Sequence, residues 1–146
     1  MSKVEHAVQC FRNGFNCSQA IFSTYCEQLG MDRVTALKVA TPFGSGIART
    51  AQTCGAVTGA LMLIELKYGK YLPEDNVSKE KCFQLAKEFT DRFTSINGSV
   101  LCCDLLKCDL STSEGLQYIK ENNLWDTLCP VFIRDAATLI EEILEL

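Results

Sequence analysis

The stretch Phe43 to Gly59, F-G-S-G-I-A-R-T-A-Q-T-C-G-A-V-T-G, places the tightest limit on what this chain can fold into. It runs from a glycine-rich loop, Gly44-Ser45-Gly46, past Arg49 into a helix read over Cys54 to Tyr68 and closed by Gly69. In that helix Ala56, Val57, Ala60, Leu61, Leu63 and Ile64 surround most of the cylinder. A helix apolar on nearly every side has no face to offer water and belongs at the centre of its fold. Gly55 and Gly59 lie four apart and share one face. Each glycine costs a helix about 1 kcal/mol relative to alanine, so close approach of another backbone is the expected compensation. Cys54 sits at the mouth of this helix. The partial positive charge of a helix N-terminus stabilises a thiolate, which predicts a lowered thiol pKa there.

The rest of the chain reads as helices separated by glycine, Asn-Gly and proline. Val4, Ala7, Val8 and Phe11 give the apolar stripe of a first helix, Ser2 to Arg12, stopped by Asn13-Gly14. Asn16 caps a second with Gln19 in the capping-box position, and Leu29-Gly30 closes it. Asp32 caps a third, Arg33 to Ala40, which Pro42 halts. After the central helix and a loop holding Pro73, a long helix spans Val77 to Ile96, with Cys82, Leu85, Ala86, Phe89, Phe93 and Ile96 in its stripe. Ser99 caps Val100 to Leu106, the run S-T-S-E at 111–114 caps a helix to Asn122, and Cys129-Pro130 opens the last. The prediction is all-α: a compact single domain over 1–146, with about seven to eight helices around the helix starting at Cys54. The 146 residues, 47% of them hydrophobic, suffice for one core.

Charge and residue counts narrow the function. The net charge is −4 and the lysines and arginines are scattered, so no basic patch supports nucleic-acid binding. His6 is the only histidine, which argues against a His-dependent triad or a His-rich metal site. The first ten residues lack the apolar core of a secretory signal, and Ala56 to Ile64 is too short to span a membrane. A soluble, cytoplasmic protein is expected. Nine cysteines in a reducing compartment then read as thiols, metal ligands or redox groups rather than as a disulfide framework.

Placed on this map, the cysteines separate. Cys17 and Cys54 fall at the first positions of their helices, Cys102 three residues after the cap Ser99, and Cys129 at an N-cap. These four share the chemistry of free backbone N–H groups and a helix dipole. Cys10, Cys26 and Cys82 lie inside helices and read as small buried hydrophobes. Cys102, Cys103 and Cys108 are close enough in sequence to form a local thiol cluster, or to be neighbours by coincidence. No C-x-x-C occurs, so zinc-ribbon and thioredoxin patterns are absent and only the fold can gather the sulfurs. Gly44-Ser45-Gly46 lacks the Gly-Lys-Ser/Thr of a phosphate loop and follows no strand. A simple turn is its default reading. The functional alternative has Gly44 and Gly46 donating N–H groups to sulfur or to an anion, with Arg49 adding charge.

Asn16-Cys17-Ser18-Gln19, the stretch 43–61, G-S-V-L-C-C-D-L-L at 98–106, D-L-S-T at 109–112 and Cys129-Pro130 together resemble the C_GCAxxG_C_C family. The resemblance covers essentially the whole chain. It departs from the label at Cys54-Gly55-Ala56-Val57-Thr58-Gly59, where the order of the first letters differs. It implies redox activity carried by Cys17, Cys54, Cys102 and Cys129, without a reaction or substrate, in small proteins often encoded near transporter genes. Four readings follow from these thiols: electron transfer or redox sensing at an iron–sulfur cluster, thiol–disulfide exchange, a structural zinc site, and a helical adaptor for a transporter in which cysteines only pack. The electron partner and any transporter-linked partner are open, and a homodimer could pair sulfurs across its interface.

Overall fold

Capping chemistry decides where most of the helices begin. In a computed structural model, which describes residues 1–146, Ser2, Asn16, Asp32, Asp75 and Thr112 each accept a hydrogen bond from a backbone N–H three residues on. The chain is all-α, with nine helices: α1 Lys3–Arg12, α2 Cys17–Tyr25, α3 Arg33–Ala40, α4 Gly55–Tyr68, α5 Asn76–Asn97, α6 Cys102–Leu106, α7 Ser113–Glu121, α8 Leu124–Thr127 and α9 Cys129–Leu144. Short 3-10 turns cover Glu27–Leu29 and Thr41–Phe43. The only β pairing is a single antiparallel bridge between Thr53 and Leu101.

The apolar helix is central, as its sequence requires. α4 packs against α2, α5 and α9, and Ala56, Val57, Ala60, Leu63 and Ile64 are fully buried. Its two glycines face α2. A Cβ at Gly55 would lie 2.8 Å from the Ser18 amide nitrogen, and one at Gly59 would lie 2.9 Å from the Ser18 carbonyl oxygen. Both clashes are with backbone, so the α2–α4 approach depends on these glycines. α9 buries Ile133, Ala136, Ala137, Ile140 and Leu144 along one stripe.

Several boundaries differ from the sequence reading. α4 begins at Gly55, so Cys54 is its N-cap rather than its first helical residue. Leu101, not Ser99, precedes α6; the Ser99 hydroxyl instead accepts from Leu101 N–H and donates to Asp104. Cys129 is the first residue of α9 and Leu128 precedes it. Thr112 rather than Ser111 caps α7. α8 escaped the sequence reading because left-handed Asn123 (φ 54°) starts it without a capping bond. The α5 stripe narrows to Cys82, Phe89 and Phe93, and Ile96 is 57% exposed. At 22 residues α5 outruns the 14 of α4 and 16 of α9 beneath it. No helix is long and apolar enough to cross a membrane.

Candidate functional site

Capping, a backbone bridge and a helix start bring the four cysteines at helix starts to the site. Cys17 starts α2 behind a complete capping box: Asn16 Oδ1 accepts from Gln19 N–H, and Gln19 Oε1 accepts from Asn16 N–H. The same two side chains tie this turn sideways, through Asn16 Nδ2 to the Thr41 carbonyl and Gln19 Nε2 to the Leu37 carbonyl. Cys54 and Cys102 are set side by side by the bridge. Cys54 N–H donates to Val100 O at 2.8 Å, and Cys102 N–H donates to Gln52 O at 2.7 Å. Cys129 enters at the start of α9 beside Pro130, which stands in the first turn where its missing N–H costs nothing.

All four line one cavity of about 250 Å³, at which the starts of α2, α4, α6 and α9 meet. Phe11, Phe15, Leu105, Leu110, Trp125 and Phe132 supply much of its apolar wall, and Arg12 and Asp126 its charged part. Cys54, Cys102 and Cys129 are buried, and Cys17 is half-buried. Cys103 is not part of the wall, although it neighbours Cys102 in sequence. The apolar wall was not read from sequence: Trp125 sits on the missed α8, and no periodicity links Phe11 to Phe15 across the Asn13-Gly14 break.

The glycine-rich loop is more than a turn. Ser45, Gly46, Ile47, Ala48 and Arg49 all have φ between 52° and 66°, and Ala51 has φ 58°. Ala48 N–H donates to Gly44 O at 3.1 Å, closing a left-handed helical turn. Such a backbone costs roughly 1–2 kcal/mol for each L-residue, and a β-branched residue such as Ile47 is a marked outlier in it. Gly46 is required by contact as well, since its Cβ would lie 2.6 Å from Ala51 Cα. The N–H groups of Ser45, Gly46 and Ile47 donate to no group of the chain. Ser45 and Gly46 line the thiol cavity, whereas Gly44 lies under the Asn16 side chain and is not in its wall. Arg49 is exposed on a separate surface hollow. Arg12, not Arg49, is the cation at the cavity.

Burial overturns the expectation of acidic thiols. Desolvation pushes the Cys54 thiol up to about 12, with the Cys17 thiol adding to it. The N–H groups of Ala56 and Val57 pull it down, but neither closes a capping bond and burial prevails. The Cys17 pKa is raised well above its ordinary value, chiefly by the adjoining Cys129 thiol and then by burial. Cys102 is raised by burial first, then by Cys54 and Cys17. These mutual influences mark the thiols as one electrostatic unit. All nine thiols are free. No three His, Cys, Asp or Glu side chains are grouped as the ligands of one ion.

The remaining cysteines lie elsewhere. Cys10, Cys26 and Cys82 are buried in the helical core and none lines the thiol cavity. His6 faces a different, polar hollow with Cys10 and Arg33.

Residues 15–143 match the family model described as "Putative redox-active protein (C_GCAxxG_C_C)". The order Cys54-Gly55, reversed from the label, suits this structure, because a Cβ at position 55 would lie 2.9 Å from Cys17 Cβ. No curated protein and no solved structure matches the chain.

Proposed function

We propose that this chain, which belongs to the C_GCAxxG_C_C family, is redox-active through a polynuclear iron–sulfur cluster bound by Cys17, Cys54, Cys102 and Cys129. The observation that supports this reading is the convergence of four thiols, from four separate helix starts, on one cavity. A single tetrahedral zinc, with Zn–S near 2.3 Å, would draw four sulfurs to within about 3.8 Å of one another. The cysteines are not grouped in that way. Four thiols lining one cavity would serve a polynuclear core as its protein ligands. When bound, such a cluster supplies one-electron transfer at a potential set by its charge, burial and hydrogen bonds.

The chain's own contributions follow from the geometry. The four thiols must lose their protons to become ligands, and burial opposes that at Cys17, Cys54 and Cys102 until positive charge arrives. Metal loading therefore releases protons and weakens as the pH falls. Ser45 and Gly46 line the cavity, and their N–H groups bond no other backbone group, which leaves them available to donate to anionic sulfur. The aromatic wall lowers the polarity around the sulfurs.

Thiol–disulfide chemistry is the second reading. What favours it is that Cys17 and Cys129 line the same cavity as free thiols and that the Cys129 thiol acts on Cys17, which makes these two the pair to test. The readings separate on anaerobic purification followed by iron and acid-labile sulfide analysis. The cluster reading predicts iron and sulfide together with visible absorbance, lost to background in each of Cys17→Ser, Cys54→Ser, Cys102→Ser and Cys129→Ser. A colourless chain free of iron that forms a Cys17–Cys129 disulfide on oxidation would replace it with the second.

A further inference from the structure

Cys103 and Cys108 lie outside the cavity, and both are half-exposed. Four residues separate them, yet the end of α6 turns the chain back between them. Lys107 takes a left-handed conformation (φ 57°, ψ 32°), and its N–H donates to the Cys103 carbonyl. The N–H of Cys108 donates to that same carbonyl at 3.2 Å. This is the bond of a Schellman-type helix end, in which the side chains three before and two after the cap come into contact. Here those positions are both cysteines.

We propose that Cys103 and Cys108 form a surface dithiol that closes reversibly to a disulfide. Covalent geometry and the 3.2 Å hydrogen bond together hold the two Cα atoms within about 7 Å. A disulfide spans about 4.4–6.8 Å between Cα atoms, so rotating the side chains, with little backbone movement, closes it. Neither thiol is committed to a strong partner: Cys103 Sγ lies 3.9 Å from an Asp104 carboxylate oxygen, and Cys108 Sγ donates to the Leu106 carbonyl at 3.4 Å. Both stand near enough to Cys102 to raise its pKa, so the dithiol adjoins the buried site without belonging to it.

The chemical partner is a low-molecular-weight disulfide. The thiolate of one cysteine attacks a sulfur of that reagent, forming a mixed disulfide and releasing one small thiolate. The thiolate of the second cysteine attacks the protein sulfur of the mixed disulfide and releases the other. Two protein thiols are oxidised, one small disulfide is reduced to two thiols, and the two protons from the protein pass to the released thiolates. None of this depends on what the cavity binds.

Oxidised glutathione is the probe. The anaerobically purified full chain is incubated with it, trapped with iodoacetamide and digested with trypsin without reduction. Cleavage after Lys107 leaves Cys103 and Cys108 on separate peptides, and fragmentation distinguishes Cys103 from Cys102. The expected result is one linked peptide pair joining Cys103 to Cys108, with two fewer alkylatable thiols than in the reduced chain. Cys108→Ser should instead retain a glutathione adduct on Cys103. A stable adduct on either cysteine of the unaltered chain, a link from Cys102 to Cys108, or no oxidation of the pair would overturn the proposal. Iron and sulfide content read alongside keeps the two proposals apart: a metal-free chain that still forms the Cys103–Cys108 link refutes only the cluster, and an iron-loaded chain without the link refutes only the dithiol.

Discussion

A missing Cβ at Gly59 does as much for the site as a sulfur does. Its substitution by alanine gains about 1 kcal/mol of helix propensity, yet places a methyl 2.9 Å from the Ser18 carbonyl oxygen. Overpacking against backbone costs about 1–3 kcal/mol. The net expectation for Gly59→Ala is a loss of up to about 2 kcal/mol, read as a lower urea midpoint. The larger Gly59→Leu should lower stability and displace the start of α2, taking Cys17 and redox behaviour with it. An unchanged midpoint and unchanged thiol reactivity in Gly59→Leu would refute the close-approach argument. At the same scale, exposure ranks the thiols toward iodoacetamide in the metal-free chain. Half-exposed Cys103 should be modified well before Cys54, whose thiol is buried and pushed up to about 12. Timed mass spectrometry of the peptides checks the order.

At the scale of elements, the sequence was most legible where capping is local. Asn16 with Gln19 and Asp32 with Thr35 are pairs three apart, and both helix starts lie where the residues put them. Cys54 and Cys102 were displaced by one or more positions because a long-range bridge, Thr53 to Leu101, fixes their helix starts. No local pattern announces such a contact. The left-handed turn was equally hidden: its five successive residues include one glycine, and Ile47 by itself argues against that backbone. Surroundings that over-determine a strained segment are the physical reason it persists. Gln19 is the element-scale test, since it completes the α2 cap and also bonds the Leu37 carbonyl and the Thr41 hydroxyl. Gln19→Ala should cost about 1–2 kcal/mol and speed alkylation of Cys17 more than that of Cys129. Equal acceleration of both would mean that the change acts on global stability rather than on the α2 start.

Over the whole molecule, burial decides the electrostatics. Four helix starts point toward one cavity, an arrangement favourable to thiolates, yet Cys17, Cys54 and Cys102 are all raised. The sequence exposed the helix positions and the family pattern but not the depth of the site, which only packing supplies. The sign of the pH effect follows. A thiol whose folded pKa is raised contributes stability that is complete below its unfolded value and is lost as the pH rises toward the folded value. For Cys54 that window runs from its ordinary 9.0 to about 12. The metal-free chain should keep its urea midpoint at pH 7 and lose it progressively above about pH 9. Replacing Cys54 and Cys102 together by serine should flatten that decline. A midpoint that instead rises as the pH approaches 9 from below, and stays flat above it, would show the thiols to be acidic in the fold.

On the cluster reading, four helix starts gather four sulfurs around one iron-containing core. Anomalous diffraction at the iron edge, on crystals grown and kept without oxygen, tests it most directly. The expected result is iron density inside the cavity between α2, α4, α6 and α9, bonded to Cys17, Cys54, Cys102 and Cys129 and to no other side chain. An iron-free cavity, a disulfide joining Cys17 to Cys129, or iron bound through Cys103 in place of Cys102 would contradict it.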